Sequence, residues 1–212
     1  MLSAPEIVYR CLTCGQLVVT SCLLFDNISG SKLFSDGKQI APLVPEVPFF
    51  IKCKKCNAFY WLKKENKVAT LDYDDKSNEL ESADLAQFLL LDEYQEALNL
   101  KVYKDTDEEN YIRLKLWWAF NDKIRNNAND VFSANEQKIY EGNCSRLIDI
   151  LDRKDASNRI IIAELFRNIG RFYECIKTLE TINEEKYNWI KRQMETVCSK
   201  RNKKVIELTT AF

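Results

Sequence analysis

The order of hydrophobic and polar positions divides the chain into two parts with different periodicities. As far as about residue 73, apolar residues occur in short runs that alternate with polar ones, as in half-buried β-strands. From about residue 83 onward they recur every three or four positions, as on one face of an α-helix. The pattern therefore predicts a β-rich N-terminal part and a helical C-terminal part, with a boundary near residues 74–82.

Strands and helices follow from the same periodicities. Strands are predicted at 6–10, 17–25, 49–52, 58–63 and 68–73. Helices are predicted at 83–101, 108–125, 134–153, 157–169, 172–182 and 185–200. Ser133 and Ser157 precede two of these helices and are the predicted N-caps. The predicted fold class is α+β with two domains, a small β domain at 1–75 and a helical-hairpin array at 82–212.

Composition and charge exclude several classes of protein. The chain has 212 residues, of which 46% are hydrophobic and 30% charged, an ordinary globular balance. Its 31 basic and 32 acidic side chains give a net charge of −1, which is not typical of a nucleic-acid-binding domain. The chain contains no histidine, so Ser-His and Cys-His catalytic pairs and histidine metal ligands are excluded.

Signatures of catalysis and of membrane insertion are also missing from the sequence. There is no Walker loop, GxGxxG or GxSxG motif, and we therefore expect a protein that is not an enzyme. The longest apolar run, residues 16–25, is far shorter than the roughly 20 residues of a membrane span. The N-terminal residues lack the basic start of a secretory signal, so we expect a cytoplasmic protein without membrane contact.

Two copies of a Cys-X-X-Cys motif lie in the N-terminal part, Cys11-Leu-Thr-Cys14-Gly15 and Cys53-Lys-Lys-Cys56-Asn57. The two intervening residues let the chain turn so that both sulfurs reach one metal ion. The residue after the second cysteine often takes a left-handed backbone conformation, which glycine adopts freely and asparagine tolerates next best. Redox pairs and free thiols are the alternatives, but the flanking strands and a reducing cytosol favour a metal site.

Since histidine is absent, a complete tetrahedral site needs four thiolates, and the candidate ligands are Cys11, Cys14, Cys53 and Cys56. Residues 5–73 resemble a zinc ribbon, the family of small β modules with one such knuckle on each of two hairpins. The resemblance implies one structural Zn²⁺, with iron as the alternative metal. It implies no particular function, because ribbons occur in transcription and translation factors, in enzymes and as structural staples.

Basic and aromatic residues cluster around the second knuckle. We call this cluster the lysine–aromatic patch; its members are Lys54, Lys55, Tyr60, Trp61, Lys63 and Lys64. Positive charge for phosphate and exposed rings for base stacking are what single-stranded nucleic acid requires. A solvated lysine surface over inward-packed rings is the alternative interpretation.

One stretch of the helical part resembles a tetratricopeptide repeat. Residues at the characteristic offsets of that family are Ile162, Ala163, Phe166, Gly170, Phe172, Cys175, Leu179 and Ile182. The resemblance covers about residues 156–189 and implies two antiparallel helices joined by a turn at Gly170. The other helices match the repeat poorly, which indicates a short, degenerate array.

Such arrays bind peptides or partner proteins on the concave face formed by the first helix of each pair. The candidate partner-binding residues are Trp118, Ile160, Glu164, Arg167 and Asn168. We therefore expect a non-catalytic, zinc-binding adaptor with a protein or peptide partner. The alternatives are a nucleic-acid- or ribosome-associated protein that uses the lysine–aromatic patch, and a redox sensor that responds by releasing zinc.

Overall fold

The computed structural model describes residues 5–20, 30–42, 44, 46–71, 83–127 and 131–209. Within these residues there are nine β-strands and six α-helices, which confirms the predicted α+β class. The chain forms two compact units, and each consists of two separate stretches of sequence. The N-terminal unit comprises Met1–Ser31 and Ile40–Val102, and the helical unit comprises Lys32–Gln39 and Tyr103–Phe212.

This division differs from the predicted bounds of 1–75 and 82–212 in two segments. Residues 32–39 lie between the two knuckles in sequence but belong to the helical unit. Residues 83–102 were predicted to begin the helical array but belong to the N-terminal unit. The predicted boundary itself, near residues 74–82, lies wholly outside the described residues.

The strands are short. In chain order they are β1 (Glu6–Arg10), β2 (Leu17–Thr20), β3 (Lys32–Phe34), β4 (Gln39–Ile40), β5 (Phe50–Lys52), β6 (Phe59–Trp61), β7 (Lys67–Leu71), β8 (Asp84–Leu85) and β9 (Glu207–Leu208). The N-terminal unit contains a four-stranded sheet in the order β7-β1-β2-β8 and a separate β5-β6 hairpin. Strand β1 is antiparallel to both β2 and β7, whereas β8 is parallel to β2.

Apolar side chains are buried at several places in the described part of the N-terminal unit. Val18 of β2, Ile51 of β5 and Leu62 form one buried cluster, against which Tyr60 and Ala86 pack. Phe50 and Leu89 are buried as well. Residues close to both knuckles therefore pack together in this unit.

The helices are α1 (Leu91–Asn99), α2 (Thr106–Asn126), α3 (Ala134–Ile150), α4 (Ala156–Asn168), α5 (Phe172–Glu180) and α6 (Asn188–Ser199). The helix predicted at 83–101 was wrong in its first half, because Asp84 and Leu85 pair with β2 and the N–H of Ala86 donates to the carbonyl of Val19. Helix α1 belongs to the N-terminal unit, where Lys52 of β5 contacts Glu96 at 2.8 Å.

The first residues of α3 and α4 show whether the two predicted N-caps are correct. Ser133 caps α3 as predicted, since its hydroxyl accepts from the N–H of Glu136 and that carboxylate accepts from the N–H of Ser133. The prediction for Ser157 was wrong. Asp155 is the cap of α4, and its carboxylate accepts from the N–H of Ser157.

Helices α4 and α5 form the pair that the repeat resemblance predicted. Helix α4 ends in a Schellman motif, in which the N–H of Gly170 donates to Arg167 and the N–H of Arg171 donates to Phe166. Gly170 has a φ of +82°, which the motif requires and which glycine adopts without steric cost. Cys175 of α5 is completely buried.

The segment 32–39 is built into the helical unit by buried polar contacts. Strand β3 pairs with β4 on one side and antiparallel to β9 on the other. Ser35, Asp36 and Gly37 form the turn between β3 and β4. The fully buried carboxylate of Asp36 accepts from Arg125 at 2.7 Å and from Asn121 at 2.8 Å, and both donors lie on α2. An ion pair of this kind fixes the segment in one position.

A carboxylate on α2 predicts acid sensitivity of the helical unit. Glu109 is 5% exposed and accepts from Arg113 at 2.7 Å and from Arg146 of α3 at 2.9 and 2.8 Å. Hydrogen bonds from Arg146 outweigh the effect of burial, and with Arg113 they lower the pKa of Glu109 from 4.5 to about 2. The paired carboxylate of Glu109 therefore contributes on the order of 2–3 kcal/mol to the free energy of unfolding. This contribution is present above about pH 4.5 and is lost as the pH falls toward about 2.

We expect Glu109→Gln to lower the free energy of unfolding by about 2–3 kcal/mol at pH 6. The difference in free energy between this variant and the wild-type protein should shrink as the pH falls toward about 2. Urea titrations followed by circular dichroism at several pH values measure this. Glu180→Gln, which alters an exposed pair with Lys177, is the control and should change little. A Glu109→Gln difference that is constant over the whole pH range would contradict the assignment.

Candidate metal centre

The two Cys-X-X-Cys motifs fold into the same turn. The first follows β1 and the second follows β5. In each, the N–H of the first cysteine donates across the turn at 2.8 Å, from Cys11 to Gln16 and from Cys53 to Ala58. The shared hydrogen bonds show that each motif is a closed loop held by its own backbone.

The position after each second cysteine is left-handed, as the sequence predicts. Gly15 has a φ of +76° and Asn57 a φ of +59°. The N–H groups of these two residues donate back to the carbonyls of Cys11 and Cys53, at 2.9 and 2.8 Å. A bulkier or β-branched residue would be strained at either position.

The four sulfur atoms converge on one point. All of them lie within 4.8 Å of one another. The Sγ atoms of Cys11 and Cys56 are 3.7 Å apart, and those of Cys14 and Cys53 are 3.6 Å apart. A tetrahedron with metal–sulfur bonds of about 2.3 Å has edges of about 3.8 Å. The cluster therefore has the dimensions of a four-thiolate metal site, with each short contact joining one knuckle to the other.

The environment of Cys11 favours its thiolate. Burial alone would raise the pKa of Cys11, but hydrogen bonds from the backbone at Cys14 and Thr13, together with the neighbouring thiols, lower it to about 7. Cys11 and Cys53 are buried, while Cys14 and Cys56 are half-buried. A backbone hydrogen bond at Ala58 lowers the pKa of Cys56, but burial and the neighbouring thiols raise it to about 12, so Cys11 is a more acidic thiol than Cys56.

A cleft of about 230 Å³ adjoins this cluster within the N-terminal unit. It is lined by Cys53, by the core residues Val18 and Ile51, and by the segment 84–90 that precedes α1. Three large apolar side chains of that segment are exposed, namely Leu85, Phe88 and Leu90. The cleft thus combines an apolar lining with an apolar rim.

The rings of the lysine–aromatic patch are only half exposed. Tyr60 packs on the core cluster. Trp61 packs against the buried ring of Phe50, with 4.7 Å between the ring centroids, and Lys63 lies 5.4 Å above the ring of Trp61. Base stacking needs a free ring face, so this arrangement gives the patch little stacking surface.

The lysines around the second knuckle differ in their surroundings. Lys54, Lys55 and Lys64 are exposed. The ammonium of Lys54 lies 3.8 Å from the carboxylate of Asp84. Lys52 of β5, which is close to the knuckle in sequence, contacts the carboxylates of Glu93 and Glu96, and the contact with Glu96 raises its pKa. These neighbouring acids reduce the positive field of the patch.

The predicted partner-binding face of α4 is buried. Ile160, Glu164, Arg167 and Asn168 all have less than a tenth of their surface exposed. Trp118 of α2 is half-buried, and its indole N–H donates to the carbonyl of Asp36 at 3.0 Å. In this structure these five residues do not line an open face.

Polar groups of this chain occupy the face instead. Glu164 accepts from the hydroxyl of Ser35 at 2.7 Å and pairs with Arg167. Asn168 donates to the carbonyl of Lys203 at 2.8 Å, and Arg167 donates to the carbonyl of Asn202. The polarity that suggested a binding face thus serves the segments before β4 and after α6. The sequence pattern of α4 does not indicate these contacts, because the two segments that make them are distant from α4 in sequence.

Comparison of the chain with protein-family models, with curated proteins and with solved structures finds no match. Among the described residues, no helix combines the length and the hydropathy needed to cross a bilayer. The fold and the site define an α+β protein with a four-cysteine cluster able to hold a metal ion.

Proposed function

We propose that the protein is a non-catalytic adaptor whose N-terminal unit is held by one structural Zn²⁺ and binds a protein partner in the cleft beside the second knuckle. The observation that carries the proposal is that cleft, with its apolar lining and the exposed rim of Leu85, Phe88 and Leu90. Clustered exposed apolar side chains rimmed by polar groups are typical of interaction sites.

The donor set supports zinc. Four cysteine thiolates at tetrahedral spacing are the ligand set of structural zinc sites, which leave no coordination position open for a substrate. A metal bound by these cysteines would stabilise the N-terminal unit, because ion binding couples to folding of the strands that carry the ligands.

The size of the cleft favours a protein segment over a cofactor. Sites for small molecules usually measure about 300–1,000 Å³, which exceeds the volume of about 230 Å³ found here. A cleft of this size suits one large apolar side chain presented by a partner. We therefore expect the partner to offer a peptide segment with an aromatic or aliphatic anchor.

The charges around the cleft favour protein over nucleic acid. Its lining contains the cations Lys52 and Lys54 and the anions Asp84 and Glu93, so the charges balance. A phosphate backbone needs a positive surface, whereas a protein segment is compatible with a neutral one.

We expect Leu90→Glu to abolish partner binding while Leu100→Glu leaves it intact. The two leucines flank α1 and are similarly exposed, at 67% and 61%, but only Leu90 lines the cleft. Burying a charge in place of an apolar contact should weaken binding at least about tenfold. Affinity capture from a nuclease-treated extract, with quantitative mass spectrometry, compares the wild-type protein with both variants.

The same capture experiment contains the outcomes that would overturn the proposal. A protein retained equally by the wild-type protein and by Leu90→Glu would place the partner elsewhere. Retention that disappears with nuclease, and that falls when Lys54, Lys55, Lys63 and Lys64 are changed to glutamate, would favour the nucleic-acid alternative. Melting curves of both leucine variants must match that of the wild-type protein for the comparison to hold.

A further inference from the structure

We propose that Cys175 and Cys198 are a site of reversible oxidation, at which a disulfide forms between α5 and α6. Their Sγ atoms are 3.0 Å apart. The sulfurs that face each other in the metal cluster are farther apart, at 3.6 and 3.7 Å. A disulfide bond is about 2.05 Å long, so a movement of about 1 Å closes the pair.

The two helices hold both thiols in this position. Cys175 is completely buried and Cys198 is 4% exposed, and α5 packs against α6. Neither side chain can rotate into solvent without opening that packing. The small exposure of Cys198 makes it the thiol that a small oxidant reaches first.

The charges around the pair distinguish its two members. The hydrogen bond with Cys175 lowers the pKa of Cys198, burial opposes this, and the cation of Arg167 lowers it further, against the carboxylates of Glu164 and Glu195. The same hydrogen bond, together with burial, raises the pKa of Cys175. Since Cys198 is also the more exposed of the two thiols, we assign it as the attacking thiolate and Cys175 as the resolving thiol.

The chemistry balances with a hydroperoxide as the oxidant. The Cys198 thiolate attacks one peroxide oxygen, the O–O bond breaks, and a sulfenic acid forms with release of water or an alcohol. The Cys175 thiol then attacks the sulfenic sulfur, the S–S bond forms, and the sulfenic hydroxyl leaves as water with the thiol proton. Two thiols lose two electrons in total, and the hydroperoxide accepts them.

The disulfide would act on the C-terminal segment. Helix α6 leads directly to Asn202 and Lys203, whose carbonyls accept from Arg167 and Asn168 of α4. A bond between α5 and α6 fixes the start of this segment and restricts the unfolded chain across the 23 positions between the two cysteines. We expect a rise in Tm of roughly 6–12 °C on oxidation.

The experiment uses the full chain with its metal bound. After brief treatment with hydrogen peroxide, remaining thiols are blocked with N-ethylmaleimide and the protein is digested with trypsin. We expect a linked pair of the peptides 172–177 and 193–200, two hydrogens lighter than their sum and separated by dithiothreitol. Zinc release is measured in parallel, because it reports oxidation of the cysteines in the two knuckles and not of Cys175 and Cys198.

Two variants make the test specific. Cys175→Ala should yield neither the linked peptides nor a redox-dependent change in Tm. Cys144→Ala removes another buried thiol of the helical unit and should still yield both. Alkylation of Cys175 and Cys198 in the wild-type protein to the same extent before and after peroxide would overturn the proposal, and so would their conversion to sulfinic acids without linked peptides.

Discussion

Replacing Cys53 by serine is expected to release the metal and to unfold the N-terminal unit, while the helical unit stays folded. One sulfur each from Cys11, Cys14, Cys53 and Cys56 completes the cluster, so loss of one ligand opens the coordination shell. Metal binding contributes on the order of 10–16 kcal/mol to the folding of small zinc domains. A loss of that size equals or exceeds the net stability of a typical domain, which is about 5–15 kcal/mol.

Elemental analysis and limited proteolysis measure this result. The wild-type protein should contain one zinc per chain, and the Cys53→Ser protein should contain none and be cut within residues 46–71. Cys144→Ala is the matched control, because it removes a buried thiol of the helical unit that does not belong to the cluster. A Cys53→Ser protein with a full equivalent of zinc, or a metal-free wild-type protein that resists protease, would contradict the expectation.

Glu164→Gln is expected to destabilise the helical unit by about 3–5 kcal/mol, the usual cost of removing one partner from a buried ion pair. The side chains of Glu164 and Arg167 are both completely buried. The carboxylate also accepts from Ser35 at 2.7 Å and from Asn168 at 3.1 Å. The neutral amide cannot accept from all of these donors, and the buried cation of Arg167 would lose its counter-charge.

Glu174→Gln is the matched control for this prediction. Glu174 also pairs with an arginine three positions away, Arg171, but both of those side chains are partly exposed. Exposed pairs of this kind contribute about 0–1 kcal/mol. Urea unfolding followed by far-ultraviolet circular dichroism compares the two variants. Equal losses in the free energy of unfolding would contradict the expectation that the buried pair of Glu164 and Arg167 stabilises the fold more than an exposed pair does.

The features that the sequence predicts well depend on local chemistry. The Cys-X-X-Cys spacing, with Gly15 and Asn57 behind it, leads directly to the observed turns and to the convergence of the four sulfurs. Helix α3, which has a capped start, and helix α4, which stops before Gly170, are placed to within three residues at each end. In these cases a few neighbouring residues determine the backbone.

The features that the sequence misses depend on contacts between distant residues. The segment 84–90 contains apolar residues at helical spacing, but pairing with β2 gives its first two residues extended structure. The burial of Asp36 against Arg125 joins positions 89 residues apart, and no local pattern indicates it. Glu164, Arg167 and Asn168 look like solvent-facing residues of a helix because their partners in 32–39 and 200–209 are remote.

The helical unit is built from two separate stretches of the chain, and this determines when it can fold during translation. Strand β3 lies near the start of the chain and pairs with β9, of which the last residue is Leu208. During translation residues 32–39 leave the ribosome long before the strand and helices that cover Ser35 and Asp36 exist. A truncated chain that stops before residue 207 would leave this unit incomplete, and so would a fragment that begins at residue 103. The unit can finish folding only after residues 207 and 208 have been synthesised.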